Sequence, residues 1–346
     1  MNLKQSLFIA IALSIIAVTS WELYWRYQGK IPDLDDNKDL WAVQRAKVDK
    51  LTSDDIVLTG SSRVLFDIQL NEWEAETGVR PIQLASAGTS PLPIFHDIVN
   101  NTDFKGTVVV GVTPGLFFST TYPEAGPWKR AQSRVDYFED RTYAQRLNHW
   151  FSLPLQKNLA LVSTSEEGWS DDIDLKSLLN NFNSGNRTGK PQYPPFEAFS
   201  YMDEDRNNVM SEKTATDTAF ANTIIAAWKF VIMGNNNPPD VQATTNFFVT
   251  DAKKFMERGG NLILLRCPSS GWIKEGEDKF LSRTDLWEPL VKATNAKAYY
   301  YEDYDQFKNL KCPELSHLSA DDARFFTTEL VKIMKAEGAL FNSKTN

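Results

Sequence analysis

The chain has 346 residues, and its 37 lysines and arginines against 45 aspartates and glutamates give a net charge of −8. This acidic balance argues against a nucleic-acid partner, because a phosphate backbone needs a basic binding face. Apolar residues make up 42% of the chain and charged residues 24%, which excludes whole-chain disorder and a multispan membrane protein.

The N-terminus carries an uncharged apolar run of 15 residues, 7–21, which follows Lys4. At the end of this run lie four aromatic residues, Trp21, Tyr24, Trp25 and Tyr27. Aromatic residues at this place are typical of the interfacial belt of a membrane helix. We interpret residues 1–29 as an uncleaved signal anchor with an aromatic interface segment; a cleaved signal peptide and a buried helix are the alternatives. A single-pass anchor in the cytoplasmic membrane then places residues 30–346 on the extracytoplasmic, periplasmic side.

Short β-branched strands alternate with helices over the first third of the chain. In order, the predicted elements are a helix at 40–51, a strand at 56–59, a helix at 61–78, a strand at 81–84, a helix at 91–101 and a strand at 107–112. The last of these is a continuous apolar run, as expected for a strand that is buried on both faces of a parallel sheet.

The alternation breaks after Gly115 and returns near the C-terminus. The later predicted elements are helices at 214–233 and 241–258, a strand at 261–267, a helix at 284–294, a strand at 296–301 and a helix at 319–335. The whole pattern predicts an α/β protein, a three-layer α/β/α sandwich with a five-stranded parallel, flavodoxin-like sheet. Residues 115–245 form a large, mainly helical, cap-like insertion between strands three and four.

Polar residues follow the strands at the edge where open α/β sheets bind ligands, the carboxyl edge. Gly60-Ser61-Ser62 comes directly after the first strand, and Glu314-x-x-His317 comes after the fifth. A serine, a histidine and a carboxylate are the three parts of a hydrolytic triad, and their order along the chain is free.

These motifs resemble the SGNH/GDSL hydrolase superfamily in its membrane-anchored bacterial envelope type. Gly60-Ser61-Ser62 is similar to the Gly-Asp-Ser block, which implies that Ser62 is the nucleophile. Glu314-x-x-His317 is similar to the Asp-x-x-His block, which makes His317 the base and Glu314 the orienting acid. Gly88 matches the second-block glycine, so the backbone N–H groups of Ser62 and Gly88 are expected to form an oxyanion hole.

The chain departs from the family pattern at two positions. Ser61 stands where the family has aspartate, and Thr113 follows the third strand where the family has asparagine. Either the Thr113 hydroxyl replaces the asparagine as a donor to the oxyanion, or the oxyanion hole has only the two backbone donors. One lost donor costs roughly 3–4 kcal/mol of transition-state stabilisation.

The resemblance implies a serine-dependent ester hydrolase or O-acyltransferase that acts on an acylated envelope carbohydrate or a small ester. Five aromatic residues of the insertion are candidates for stacking on sugar rings: Trp128, Tyr137, Tyr143, Trp150 and Trp169. Core packing is the alternative interpretation of these aromatics. The alternative function is a non-catalytic envelope module that binds polysaccharide or partners a membrane acyltransferase, and the missing asparagine favours it.

The chain has three histidines, two cysteines and neither a C-x-x-C nor an H-E-x-x-H motif, so we predict no metal site and no cofactor. His96 and His149 are interpreted as structural. Outside the cytoplasm Cys267 and Cys312 favour a disulfide, which would stabilise the fold by about 4 kcal/mol. The alternative is two free, buried thiols.

Overall fold

The computed structural model describes residues 3–119, 125–162, 199–233 and 239–340. Its strands are β1 (Ile56–Thr59), β2 (Ile82–Gln83), β3 (Thr107–Gly111), β4 (Ser200–Met202), β5 (Asn208–Met210), β6 (Asn261–Arg266) and β7 (Lys297–Tyr300). Five of them form one parallel sheet in the order β2-β1-β3-β6-β7, and β4 and β5 form a separate antiparallel pair. The predicted α/β class and its five-stranded parallel sheet are confirmed.

Helices flank the sheet, as the βαβ pattern predicts. They are α1 (Leu3–Tyr27), α2 (Lys38–Val48), α3 (Ser62–Asp67), α4 (Leu70–Thr77), α5 (Leu92–Asn101), α6 (Pro114–Phe117), α7 (Gly126–Asp140), α8 (Tyr143–Asn158), α9 (Glu212–Thr216), α10 (Thr218–Met233), α11 (Val241–Glu257), α12 (Gly271–Phe280), α13 (Glu288–Thr294) and α14 (Ala320–Ala336). A π-helical turn at Arg283–Trp287 precedes α13.

The central strands carry apolar side chains because both faces of the sheet are covered. Every residue of β1 and β3 is buried. Helix α3 lies very close to this part of the sheet: a Cβ atom on Gly111 would come within 2.1 Å of the Val64 side chain. A glycine at this position in β3 therefore lets the first turn of α3 pack directly on the sheet.

The predicted helix at 61–78 is wrong in one respect, because the structure divides it into α3 and α4. The chain is extended at Ile68, and tertiary hydrogen bonds satisfy the next backbone groups. Gln69 N donates to Thr327 Oγ1 at 2.9 Å, and Leu70 N donates to Asn207 Oδ1 at 2.8 Å. These partners come from distant parts of the chain, so the local pattern did not reveal the break.

The described parts of the insertion contain helices α7 and α8, which the sequence pattern did not predict, and the β4–β5 hairpin. Arg206 in this hairpin is fully buried and has a left-handed backbone with φ of 61°. Its guanidinium binds the Asp36 carboxylate and donates to the carbonyl oxygens of Gln83 and Ala85 at 2.8 Å. One arginine thus ties the hairpin and the segment before α2 to the end of β2.

Asp33 adds a pH-dependent link to the hairpin. Its Oδ1 accepts hydrogen bonds from Leu34 N at 2.9 Å and Met202 N at 2.8 Å. Burial raises the pKa of Asp33 from 3.8 to about 6 in spite of these two bonds. The folded protein therefore favours the protonated form of Asp33. The contribution of this protonated carboxyl group to the free energy of unfolding is lost as the pH rises from about 4 through 6.

We expect Asp33→Asn to become more stable relative to the wild type as the pH rises from 4 to 7. Asparagine stays neutral and keeps an oxygen for both backbone donors, so the relative gain should be on the order of 1 kcal/mol after solvent screening. Urea unfolding in detergent micelles at both pH values measures it. The exposed Asp54, changed to asparagine, is the control, and an Asp33→Asn difference that is independent of pH would contradict the prediction.

The N-terminal helix α1 stands apart from the packed core. It is 25 residues long, its mean hydropathy reaches 1.9 over 18 residues, and none of its residues is buried. At about 1.5 Å per residue it exceeds the ~30 Å hydrocarbon thickness of a bilayer. By length and composition α1 can therefore span a membrane, a property that a signal sequence shares.

Candidate functional site

Helix α3 and the loop after β7 meet at the carboxyl edge of the sheet. Ser62 is the first residue of α3, is 8% exposed and directly follows the turn after β1. At the other end of this helix, Asp67 Oδ1 accepts a hydrogen bond from Leu318 N at 2.9 Å. Burial raises the pKa of Asp67 well above its usual value. This contact fixes the position of His317, the residue before Leu318, relative to α3.

Glu314 and His317 form a hydrogen-bonded pair whose side chains are fully buried. Glu314 Oε1 accepts hydrogen bonds from the His317 backbone N at 2.6 Å and from its Nδ1 at 2.9 Å. A carboxylate only accepts, so this bond places the proton of a neutral imidazole on Nδ1 and makes Nε2 the acceptor. His317 is thereby oriented as a general base requires.

The second carboxylate oxygen of Glu314, Oε2, accepts a hydrogen bond from a residue of the insertion. Trp228 of α10 donates its indole Nε1–H to Glu314 Oε2. Buried tryptophan usually finds such an acceptor. Trp228 was not predicted from the sequence, because nothing in the local pattern of α10 indicates that it packs over the loop after β7.

Aromatic rings pack against the imidazole of His317. Phe66 stacks on His317 with 4.2 Å between ring centroids, and Trp228 lies at 5.7 Å. Phe66 is four residues after Ser62 in α3, so the two side chains share one face of that helix. The ring of His317 therefore rests on the helix face that begins at Ser62.

His317 Nε2 is buried and has no hydrogen-bond partner among the residues that the structure describes. In particular, the structure has no hydrogen bond between this atom and Ser62 Oγ. In hydrolases this bond is often long before substrate binds and shortens in the complex. A buried acceptor without a donor costs about 1–3 kcal/mol, which a proton donor such as a serine hydroxyl would offset.

Ser61 and Thr113 share a hydrogen bond of 2.6 Å between their hydroxyl oxygens. Ser61 is also the N-cap of α3, and its Oγ accepts from Arg63 N at 3.4 Å. Ser61 thus has structural partners at the position where the family has aspartate. When Ser61 donates in the shared bond, the Thr113 proton is left for an oxyanion.

Gly88 is buried and has a left-handed φ of 64°, which glycine adopts without strain. Its carbonyl oxygen accepts hydrogen bonds from the guanidinium of Arg130 in α7, with Nε at 3.1 Å. Arg130 therefore fixes the loop that carries the second expected oxyanion donor. The sequence analysis gave no role to Arg130, because the contact spans 42 residues.

A cluster of buried charged side chains includes Arg63, the residue after Ser62. The Glu277 carboxylate of α12 binds Arg63 at 2.8 and 3.2 Å, Arg266 at 2.5 Å and the Ser269 hydroxyl at 2.8 Å. Burial alone would raise the pKa of Glu277, but the charges of Arg266 and Arg63 lower it to about 2. Arg63 thus pairs with a carboxylate that is supplied by α12, a helix that the sequence pattern did not predict.

The disulfide expected between Cys267 and Cys312 is not present, since both residues are free, buried thiols. Hydrogen bonds hold the two loops together instead: Cys312 N donates to Ser270 Oγ at 2.9 Å, and Ser270 N donates to Leu315 O at 2.9 Å. Burial raises the pKa of both thiols well above the usual value, so they stay protonated and weakly reactive.

Two of the proposed sugar-stacking aromatics are core residues: Trp128 is buried, and Tyr137 packs against the core. Tyr143 and Trp150 are exposed on α8, and Trp169 lies outside the described residues. The aromatics that contact the His317 ring are instead Phe66, Phe199 and Trp228.

The other two histidines lie apart from this arrangement. His96 Nδ1 bonds Asp251 Oδ2 at 2.8 Å, and burial lowers the pKa of His149 in α8. Within the described ranges, no group of three or more His, Cys, Asp or Glu side chains is placed to hold a metal ion.

No protein-family model matches the chain, and no curated protein matches its sequence. The resemblance to the SGNH/GDSL superfamily therefore rests on the sequence motifs of this chain alone.

We expect Trp228→Phe to lower kcat/KM for an ester roughly tenfold, which is the size of one modest hydrogen bond to a charged group. The variant keeps an aromatic ring beside His317 but leaves Glu314 Oε2 without its donor. Trp272→Phe is the matched control, because Trp272 packs against the same cluster and its Nε1 has no hydrogen-bond partner. Equal effects of the two substitutions would contradict the role given to the Trp228 bond.

Proposed function

We propose that the chain is a serine-dependent ester hydrolase or O-acyltransferase. The observation that carries the proposal is the fully buried Glu314–His317 pair, whose Nε2 has no partner and whose ring lies on the helix that begins at Ser62. A carboxylate bonded to Nδ1 and a vacant Nε2 beside a serine-bearing helix are the arrangement that nucleophilic acyl transfer needs.

In the proposed reaction Ser62 Oγ attacks the carbonyl carbon of an ester and gives its proton to His317 Nε2. Glu314 keeps the imidazole in place and stabilises the imidazolium that forms. The backbone N–H groups of Ser62 and Gly88 and the Thr113 hydroxyl would donate to the oxyanion.

Collapse of the tetrahedral intermediate breaks the bond to the leaving alcohol, which takes the proton from His317 Nε2. Water or a sugar hydroxyl then attacks the acyl-serine and gives its proton to the same nitrogen. That proton passes to Ser62 Oγ as the bond between the acyl group and Ser62 breaks. Water as the acceptor makes the protein an esterase, and a sugar hydroxyl makes it a transferase.

The proposed substrate is an acylated carbohydrate of the cell envelope. This part of the proposal rests on α1, which would anchor the chain in the cytoplasmic membrane with the α/β domain on the periplasmic side. The expected location of α1 at the membrane is tested by partition of the full chain with membranes and by an intact N-terminus. A soluble mature chain beginning near residue 21 would contradict the anchor.

A second candidate function is a non-catalytic envelope module that binds polysaccharide or partners a membrane acyltransferase. The threonine at position 113, where the family has asparagine, favours this candidate. The two candidates differ in whether Ser62 forms an acyl intermediate.

The experiment is acetate release from an acetylated oligosaccharide by the full chain in detergent, with acetyl transfer to an unacetylated acceptor followed by mass spectrometry. Wild type should release or transfer acetyl groups, and His317→Gln should do neither. Retained oligosaccharide binding without turnover in the wild type would select the non-catalytic module.

A further inference from the structure

Helix α8 exposes an apolar face that no part of the described protein covers. Its exposed large apolar residues are Tyr143, Leu147, Trp150, Phe151 and Leu155. Their spacing of four, three, one and four residues puts them on one side of the helix over its whole length. Trp150 is 64% and Phe151 58% exposed. An apolar stripe of this kind is unusual on a soluble surface and marks a site of interaction.

The polar side of the same helix faces the protein. Gln145, Ser152 and Gln156 are half-buried and His149 is buried, with Leu153 the one apolar residue of α8 that is half-buried, whereas the apolar stripe is exposed. Gln156 Oε1 accepts a hydrogen bond from Asp35 N at 3.1 Å. The apolar side of α8 therefore faces away from the protein, whereas the apolar side of an ordinary surface helix faces the core. Burial of its apolar side must therefore come from outside the described part of the chain.

The end of α8 is attached to the end of α1. Glu22 of α1 accepts hydrogen bonds from the backbone N of Ala160 at 3.0 Å and of Leu161 at 2.9 Å, just after α8. Arg26 pairs with Glu22 at 2.6 Å and donates to Asn158 O at 2.9 Å.

Glu22 is the first charged residue after the apolar run of α1, within the group of aromatic residues formed by Trp21, Tyr24, Trp25 and Tyr27. If α1 spans the bilayer, this level is the membrane–water interface. The hydrogen bonds from residues 158–161 therefore hold the C-terminal end of α8 at that interface.

We propose that α8 lies in the plane of the membrane interface and buries its apolar stripe among the lipid acyl chains. The inference rests on the proposed spanning of the membrane by α1. The stripe runs from Tyr143 to Leu155 along the 16-residue helix, or roughly 20 Å, so only a helix that is nearly parallel to the surface can bury all of it. The tryptophan, tyrosine and phenylalanine content suits this depth, where aromatic rings are enriched.

Interfacial docking of α8 would give the domain a second attachment beside α1. One helix alone leaves a domain free to tilt, whereas α1 and α8 together fix its orientation to the surface. The ester site would then be held at a set height above the membrane that carries or presents its substrate.

The test uses the full chain in lipid nanodiscs that contain a phospholipid with a photoactivatable acyl chain. After irradiation and trypsin digestion, labelled peptides are quantified by mass spectrometry. Residues 147–157 form one tryptic peptide that carries Leu147, Trp150, Phe151 and Leu155. The peptide 325–332 carries Phe325, which is 43% exposed on α14, and serves as the control for an exposed aromatic residue.

We expect label in α1 and in residues 147–157, with several times less in residues 325–332. The variant W150Q/F151Q should lower the label in residues 147–157 toward that control and leave α1 labelled. If α1 is labelled but the label in residues 147–157 is no higher than in the control peptide, the inference is overturned. The apolar stripe would then be a binding surface for a second protein chain. An unlabelled α1 would overturn the anchor as well, whereas ester turnover reports on the proposed chemistry independently of both.

Discussion

Replacing Ser62 by alanine should abolish turnover of a small acetyl ester, with a fall in kcat of roughly 10,000-fold or more. Without Oγ no acyl-serine forms, and neither His317 nor the oxyanion donors have a nucleophile to act on. Alanine suits the first position of α3, so the free energy of unfolding should hardly change. Initial rates and a urea unfolding curve of the same preparation measure both effects.

Ser61→Ala is the matched control, one residue away in the same turn. It removes the N-cap of α3 and the 2.6 Å bond to Thr113, so it should lower stability by about 1 kcal/mol. Its effect on kcat should be much smaller than that of Ser62→Ala. If Ser61→Ala abolished turnover and Ser62→Ala did not, the nucleophile would be Ser61.

Glu314→Gln should lower kcat roughly 100- to 10,000-fold without abolishing turnover, because it weakens the orientation of the base and removes the charge that stabilises the imidazolium. A glutamine oxygen can still accept from the His317 backbone N and from Nδ1. Its NH2 group, however, would then face the indole N–H of Trp228, and two hydrogen-bond donors would lie against each other. The measurement is kcat over a range of pH.

The double variant Glu314→Gln/Trp228→Phe separates the two causes. Removing the indole donor relieves the donor–donor contact, so the double variant should be more active than Glu314→Gln alone, although Trp228→Phe lowers activity by itself. An activity indifferent to Glu314→Gln would mean that another group orients His317.

The sheet could be predicted from the sequence because its strands have a recognisable local sequence pattern. The apolar runs of β1, β3 and β6 are bounded by Gly60, Gly106 and Gly260, and parallel order follows from the helices between them. The carboxyl ends of β1 and β7 then indicated where Ser62 and the Glu314-x-x-His317 turn would lie.

The contacts that complete the site could not be predicted from the sequence, because each joins residues that are far apart in the chain. Trp228 is 86 residues from Glu314, and Glu277 is 214 residues from Arg63. The residues that bind these partners carry no local signal of the contact. The predicted disulfide failed for a related reason, since loop proximity alone does not distinguish a bridge from two buried thiols held by backbone hydrogen bonds.

The most direct test of the central claim, that Ser62 is an activated nucleophile, is covalent labelling of the full chain by a fluorophosphonate probe. Intact-mass measurement should show one adduct, and peptide mapping should place it on Ser62 within residues 51–63. The adduct should be absent from Ser62→Ala and greatly reduced in His317→Gln, while Ser61→Ala should still be labelled. A folded wild-type chain that stays unlabelled, or that is labelled at a serine other than Ser62, would contradict the account.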